Sequence, residues 1–131
     1  MTLGVRAAVF DGDSVLLVRH SYVPGWYFPG GGVDPGETVA EAVRRELHEE
    51  AGVALTGEPE LFGFYLNRIA SVRDHVALFL CPAWTPAVAH QPSREIVEAG
   101  FFPLDRLPEG TTNATRRRLD EIAGAVVAAE W

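Results

Sequence analysis

The chain has 131 residues, 47% of them hydrophobic and 10% aromatic, and a formal net charge of −7. This length suits one domain with one hydrophobic core, and the composition excludes a disordered chain. The acidic balance argues against a protein that binds the nucleic-acid backbone, because such proteins normally present a basic surface. We therefore expect a single domain over residues 1–131 with no nucleic-acid partner.

Neither a targeting segment nor a membrane span is predicted. The first ten residues lack the apolar stretch of a signal peptide, and no run approaches the roughly 18 apolar residues of a membrane helix. Cys81 is the only cysteine, so no disulfide can form within the chain, and its apolar neighbours predict a buried, reduced thiol. We expect a cytoplasmic protein with no membrane partner.

The N-terminal part predicts a hairpin followed by a glycine-rich loop. Residues 3–10 alternate in character as a strand does, residues 11–13 (Asp-Gly-Asp) form a turn, and residues 15–20 form a second strand. The apolar run at the start of the second strand is typical of a central strand covered on both faces. Residues 26–32 (Trp-Tyr-Phe-Pro-Gly-Gly-Gly) predict a short strand that enters a loop whose backbone passes close to another group.

Strong capping signals define the first helix. Thr38 is a suitable N-cap, and Glu41 three residues later completes a capping box. Gly52 is the expected C-terminal glycine, so the helix is predicted over residues 39–51.

This helix interrupts its own apolar pattern. At about 100° per residue, its apolar arc consists of Val39, Ala42, Val43 and Leu47. One turn further, the arc meets Glu46 and Glu50, and Glu49 adds a third carboxylate at helical spacing, so like charges crowd one patch. A hard divalent cation, above all Mg²⁺, would supply the counter-charge. A solvated acidic face supported by arginine pairs is the alternative.

The spacing around the helix favours the metal. Gly31, Glu37 after five residues, and Arg45-Glu46-Leu47-His48-Glu49-Glu50-Ala51-Gly52-Val53 after seven more match all nine fixed positions of the Nudix box. The chain therefore resembles the Nudix hydrolase superfamily, the MutT-like enzymes. The resemblance implies an α/β fold of the Nudix type, an α/β/α sandwich with a mixed β-sheet between helices. Strands buried on both faces with a long helix on either side predict the same architecture.

The resemblance also implies a reaction and its residues. It implies Mg²⁺-dependent hydrolysis, with Mn²⁺ as an alternative metal, of the pyrophosphate bond in a nucleoside diphosphate linked to another group. Glu46, Glu49 and Glu50 would bind the metal and belong to the catalytic set. Arg45 would belong to that set by orienting Glu49 or Glu37 rather than by touching substrate.

A further acidic residue is expected in the second half of the chain. Glu95 stands six residues before Phe101, where MutT-like enzymes carry an acidic residue that can approach the metals, and Glu98 is the competing choice. The general base stays open among the helix carboxylates and Glu95.

Four cationic side chains are candidates for contacts with the substrate, namely Arg19, His20, Arg68 and Arg73. The first two end a strand beside the glycine loop, where related enzymes often contact phosphate or nucleoside, and the last two lie in a predicted loop over residues 67–73. Solvated surface positions are the alternative for each of them. The resemblance assigns the structural loops around the site to Gly30, Gly31, Gly32, Glu37 and Gly52.

The remaining elements are predicted from local patterns. Strands are expected over residues 60–67, with two buried faces, and 75–82; a loop over 84–94; and a stretch at 95–102 that leads into a strand and the family's short helical turn at 104–108. Residues 111–131 predict a closing helix with a core stripe, and the arginines at 116–118 are assigned to its solvated face.

The substrate is a small nucleotide or nucleotide conjugate. ADP-ribose pyrophosphatases of the family tend to have a proline fifteen or sixteen residues after the box glycine, where this chain has Asn67 and Arg68. A nucleoside triphosphate, including an oxidised one, is therefore favoured. The alternatives are a non-catalytic nucleotide-sensing or partner-binding protein and an isomerase on the same fold, but the intact box favours hydrolysis. A homodimer stays open.

Overall fold

The computed structural model describes residues 3–87 and 96–131. Along the chain, short strands lie before and after a first helix, and a second helix follows the last strand. The elements are β1 Leu3–Ala8, β2 Phe10–Asp11, β3 Ser14–His20, β4 Trp26–Tyr27, β5 Gly30–Gly32, α1 Val39–Ala51, β6 Val53–Leu55, β7 Glu60–Leu66, β8 His75–Leu80, β9 Trp84–Pro86, β10 Ile96–Pro103 and α2 Asn113–Ile122. Within the described residues, no helix is long and apolar enough to cross a membrane.

The strands form two larger sheets and one small one. In the first, the order is β5-β1-β8-β7, and β1 runs parallel to β8 but antiparallel to β5. The second has the order β10-β3-β2, with β4 also paired to β3, and its pairs are antiparallel. Strands β6 and β9 pair separately. The predicted α/β fold with a mixed sheet is confirmed, with the strands divided between sheets.

Alternate side chains of the central strands point into two separate cores. On one side, Val5, Leu16 and Phe79 pack with the apolar arc of α1. On the other side, Val15 and Leu17 pack with residues of α2. Because successive residues of a strand face opposite ways, the same strands pack against α1 on one face and against α2 on the other, which gives the sandwich.

The first helix has the predicted bounds and caps. The Thr38 hydroxyl accepts from the Glu41 N–H at 3.1 Å, and the Glu41 carboxylate accepts from the Thr38 N–H at 3.0 Å, so the capping box is complete. Gly52 ends the helix in the left-handed region, at φ 65°, where a side chain would be strained. Local chemistry alone therefore fixes where α1 lies along the chain.

The glycine run is not the predicted loop but a strand. Gly30–Gly32 forms β5, whose partners on β1 run from Gly4 to Arg6. A Cβ on Gly30 would lie 2.0 Å from the Val5 carbonyl oxygen, so only glycine allows this approach of the two backbones. The close passage of backbone that the sequence predicts is therefore present, but within a sheet.

Three further predictions need correction. Residues 60–67 are not buried on two faces, because β7 lies at a sheet edge and its Leu61 is 60% exposed. The predicted loop over 84–94 begins with β9 at Trp84–Pro86. The closing helix over 111–131 is too long, since α2 ends at Ile122 and residues 125–128 have no regular structure.

The arginine run at 116–118 is not wholly solvated. Arg116 and Arg117 are exposed, but Arg118 is fully buried between the rings of Tyr65 and Trp131. Amphipathic periodicity assigns a charged residue to the surface, and it does not reveal a cation held between two aromatic rings. Cys81 is buried as predicted, and burial raises the pKa of its thiol to about 12.

Candidate active site

The three helix carboxylates differ in their surroundings. Glu50 is only 8% exposed and the Glu46 side chain 12% exposed, so both continue the apolar arc of α1 inward. The Glu49 side chain is 55% exposed and lies at the outer side of the group. The helix therefore presents two buried carboxylates and one exposed carboxylate at the same end.

Each glycine of β5 meets a different residue of α1. The Gly30 N–H donates to Glu50 Oε1 at 2.8 Å, and the Gly32 carbonyl accepts from Arg45 Nη2 at 3.0 Å. Between them, a Cβ on Gly31 would stand 2.5 Å from Glu46 Oε1, so the absence of a side chain is what admits this carboxylate. The contact between strand and helix therefore requires a glycine at position 31, whereas the backbone of β1 requires one at position 30.

Arg45 joins several acidic side chains through its planar guanidinium. Its Nε and Nη2 donate to the two carboxylate oxygens of Glu37 at 2.7 and 3.0 Å, and its Nη1 donates to Glu46 at 2.9 Å. A longer contact of 3.5 Å reaches Glu49. The hydrogen bond from Arg45, with a second from the Asp34 N–H, lowers the pKa of Glu37 to about 2. Charge-assisted pairs of this kind hold side chains in fixed orientations.

A cavity of about 290 Å³ opens beside Glu46 and Glu50. Arg6 lines it from β1 and donates from Nη1 to the Phe28 carbonyl at 2.8 Å. Burial lowers the pKa of Arg6, whereas the negative charges of Glu50 and Glu46 act to raise it. Arg6 is half-buried, and the charges of the two carboxylates offset part of the cost of removing its guanidinium from water.

Arg6 is a candidate that the sequence argument missed. The alternation of residues 3–10 predicts a strand and gives Arg6 no role in the site. Its one visible signal is a charged residue within an otherwise apolar strand.

A second cavity, of about 230 Å³, shares Arg6, Gly31 and Gly32 with the first and extends to Asn67 and Asp74.

The buried carboxylates fit a hard cation. Burial raises the pKa of Glu46, and the Arg45 hydrogen bond and charge only partly oppose this effect. Ionised Glu46 therefore carries a free-energy cost of desolvation, which a bound cation would offset. Together with the neighbouring Glu50 and Glu49, it offers only oxygen ligands, the set that Mg²⁺ and Mn²⁺ prefer. Among the described residues, no three acidic, histidine or cysteine side chains already converge as a closed metal cluster.

The four cationic side chains predicted to contact the substrate lie in different places. His20 lines the first cavity. Arg19 pairs with Glu98 at 3.3 Å and lies over the ring of Trp26. Arg68 pairs with Glu130 at 2.8 Å, and Arg73 is exposed on the loop after β7.

The two acidic candidates in the second half of the chain are Glu95 and Glu98, and the structure describes only Glu98. Glu98 is exposed on β10 and is engaged by Arg19. Glu95 lies outside the described residues, so its part in the site stays a prediction.

Comparison with known proteins places this geometry in a family. Residues 1–121 match the family model described as the NUDIX domain. The chain is similar to the MutT NUDIX hydrolase from Burkholderia pseudomallei, with 31% identity and a TM-score of 0.78 over 92% of this chain and 97% of that one. It is also similar to an ADP-ribose pyrophosphatase from Streptococcus suis, with 29% identity and a TM-score of 0.71 over 95% and 93%.

Curated relatives match over part of their length. The RNA pyrophosphohydrolase of Legionella pneumophila is 47% identical over 55 residues, which are 42% of this chain and 31% of that protein. The human 8-oxo-dGDP phosphatase NUDT18 is 34% identical over 109 residues, 79% of this chain and 33% of that protein. The chain thus spans about a third of the length of these curated relatives.

Proposed function

The chain belongs to the NUDIX family, and from this premise we propose that it hydrolyses the pyrophosphate bond of a nucleoside diphosphate linked to another group. The observation that carries the proposal is the seam between β5 and α1. There, the buried Glu50, the largely buried Glu46, a bridging arginine and a side-chain-free strand meet beside a cavity that the half-buried Arg6 also lines. A nucleoside triphosphate is the favoured substrate. One catalytic domain over residues 1–131 and a cytoplasmic location remain predictions from the sequence.

In this proposal the metal is Mg²⁺ or Mn²⁺, held by Glu46, Glu50 and Glu49. Bound there, it would neutralise phosphoryl charge and lower the pKa of the attacking water. The buried position of Glu46 and Glu50 supports the assignment, because a cation relieves the repulsion between them. The hydrogen bond from the Gly30 N–H fixes one oxygen of Glu50 toward β5.

The remaining residues have positioning and binding roles. Arg45 is a positioning residue, since its hydrogen bonds hold Glu37 and Glu46 in place. Arg6 lines the cavity with a half-buried guanidinium and is the strongest candidate for a phosphate contact there. Two glycines of β5 keep the site compact, since a side chain at Gly30 would meet the Val5 backbone and one at Gly31 would displace the Glu46 carboxylate.

A substrate screen tests this proposal. Nucleoside triphosphates, diphosphates and nucleotide conjugates are incubated with the protein and Mg²⁺ or Mn²⁺, and released phosphate and pyrophosphate are measured. We expect hydrolysis that EDTA abolishes and excess metal restores. Glu58→Gln is the matched control for a Glu50→Gln variant, because Glu58 is an exposed carboxylate that pairs with Arg44 away from the cavity. Metal-dependent nucleotide binding without hydrolysis would instead indicate the non-catalytic alternative.

A further inference from the structure

The lining of the cavity beside the helix carboxylates combines charged and aromatic side chains. Arg6, Glu46 and Glu50 supply groups that suit phosphate and metal. His20, Tyr22 and Tyr27 supply aromatic rings, with Val23 beside them. The Arg6 guanidinium lies 5.9 Å from the centroid of the Tyr27 ring, so the charged and the aromatic groups adjoin each other.

The three aromatic rings form a connected group. The His20 ring centroid lies 5.5 Å from that of Tyr22 and 5.7 Å from that of Tyr27, and the Tyr27 ring meets it edge-on. The Tyr27 hydroxyl donates to the Pro24 carbonyl at 2.6 Å, which closes the loop between β3 and β4 on itself. The Tyr27 ring is thus held in place before any ligand arrives.

Tyr22 differs from the other two residues because its side chain is largely exposed and adds little to the packing of the fold. Its side chain is 66% exposed, although an aromatic ring is among the largest apolar surfaces that a fold can bury. It lines the same cavity as the candidate phosphate-binding groups. An exposed flat ring at that position is what a planar ligand group needs for stacking.

We propose that His20, Tyr22 and Tyr27 form a stacking wall for the nucleobase of the substrate, with Tyr22 as its outermost ring. The inference rests on the proposed function, since it orients that substrate with its phosphates toward Arg6 and Glu46. Stacking is tolerant of base identity because every base has a π face. The wall therefore selects nucleotides over other diphosphates more strongly than it selects among bases.

The chain offers a matched control for this wall. Phe64 on β7 is also an exposed aromatic residue, 53% exposed, and its ring lies 5.4 Å from that of His75. Like Tyr22 with His20, this pair joins an exposed aromatic ring to a histidine at a similar spacing, but it lies on the neighbouring strands β7 and β8 of the first sheet. Phe64→Ala removes a comparable exposed ring without touching the cavity lining.

Calorimetric binding separates stacking from phosphate contacts. The probes are the α,β-methylene analogues of ADP, GDP, CDP and UDP, which resist hydrolysis, and methylenediphosphonate, which has no base; all are titrated with Mn²⁺ present. Tyr22→Ala should weaken nucleotide binding roughly 5- to 100-fold and leave methylenediphosphonate binding unchanged. Tyr22→Phe should retain the wild-type affinity, and so should Phe64→Ala. Thermal unfolding of each variant verifies that the fold is kept.

Three outcomes would overturn the inference. Tyr22→Ala could weaken methylenediphosphonate as much as the nucleotides, Phe64→Ala could have the same effect as Tyr22→Ala, or the nucleotides could bind no tighter than methylenediphosphonate. If metal-dependent hydrolysis of nucleotides persists in these cases, only the stacking wall is refuted. If hydrolysis and nucleotide binding are both absent in the wild type, the proposed function fails as well.

Discussion

Glu46 and Glu50 show how charged side chains come to lie where aliphatic ones are expected. Both continue the apolar arc of α1. Each accepts a hydrogen bond, Glu50 from β5 and Glu46 from the helix itself. Glu50 accepts from a backbone N–H, whereas Glu46 accepts from Arg45. Since burial still raises the pKa of Glu46, these partners do not fully replace water.

At Glu50, removal of the charge should weaken metal binding without loss of the fold. The glutamine of Glu50→Gln can still accept from the Gly30 N–H, but it contributes no negative charge. We expect the Mn²⁺ affinity, measured by calorimetry, to fall by at least about tenfold. Glu58→Gln should leave the affinity unchanged. Undiminished Mn²⁺ affinity in Glu50→Gln would place the metal elsewhere.

Arg45→Lys tests orientation against substrate contact. Lysine keeps the charge but cannot hold both oxygens of Glu37 and also reach Glu46. We therefore expect kcat to fall by about an order of magnitude or more with little change in KM. Arg44→Lys, at the next position of the helix but directed to Gly57 and Glu58, should have little effect. A raised KM with an unchanged kcat would show that Arg45 binds substrate directly.

Among the structural elements, α1 and β5 differ in how far the local sequence predicts them. The bounds of α1 were predictable because Thr38, Glu41 and Gly52 act within one turn of each end. The strand character of β5 was not, because it depends on pairing with β1, which lies more than twenty residues earlier in the chain. Propensity favours a loop for three glycines, and the sheet overrides it.

The same reasoning explains the other differences. The residues of β7 are apolar at successive positions, so their alternation could not show which face is exposed at a sheet edge. The C-terminal residues after Ile122 are apolar enough for a helical stripe, but they leave the helix and return to Leu66 of β7 through backbone hydrogen bonds. At the site, the box predicted the acidic helix, whereas Arg6 and the aromatic wall depend on how distant strands meet.

The glycines of β5 should respond differently to one added methyl group. In Gly31→Ala, the Cβ meets the far end of the Glu46 side chain, which can move, so we expect a stable protein whose kcat falls by up to about 10²-fold. In Gly30→Ala, the Cβ meets the Val5 backbone at 2.0 Å, so the fold should lose at least about 3 kcal/mol. Chemical denaturation and steady-state kinetics on both variants measure this contrast. Equal losses of stability would contradict it.

At the scale of the whole molecule, a buried polar cluster joins α2 to the first sheet. Arg118 lies 4.3 Å from the Tyr65 ring centroid and pairs with Glu121 at 2.9 Å. Glu121 also accepts from the Tyr65 hydroxyl at 2.7 Å and from the Ala128 N–H at 2.9 Å. One carboxylate thus connects the helix, the sheet and the C-terminal segment, and breaking such a buried pair typically costs about 3–5 kcal/mol.

This cluster predicts a dependence of stability on pH. Burial alone would raise the pKa of Glu121, but the hydrogen bonds from Ala128 and Tyr65 and the charge of Arg118 lower it overall. The stabilisation is therefore present above the unfolded-state pKa of about 4.3 and is lost as the pH falls through the lower folded-state value. Glu121→Gln should be less stable near neutral pH, and its stability should fall less steeply on acidification.

Unfolding free energies measured by denaturant titration between neutral and acidic pH test this expectation. Glu130→Gln is the matched control, because Glu130 forms an exposed pair with Arg68, and such pairs contribute about 0–1 kcal/mol. It should follow the wild-type curve. A Glu121→Gln curve parallel to that of the wild type would show that Glu121 is not the titrating group.

The glycine strand also has a consequence for how such a protein diverges. Because β5 has no side chains, the surface between the two cavities offers only backbone, and the chemistry at either end comes from other segments, such as the loop between β3 and β4 and the loop after β7. Inherited changes in those loops alter what is recognised but leave the carboxylates, Arg45 and the glycines untouched. Lineages that start from one ancestor can therefore acquire new ligand preferences through loop substitutions, while selection preserves the carboxylates, Arg45 and the glycines as a separate unit.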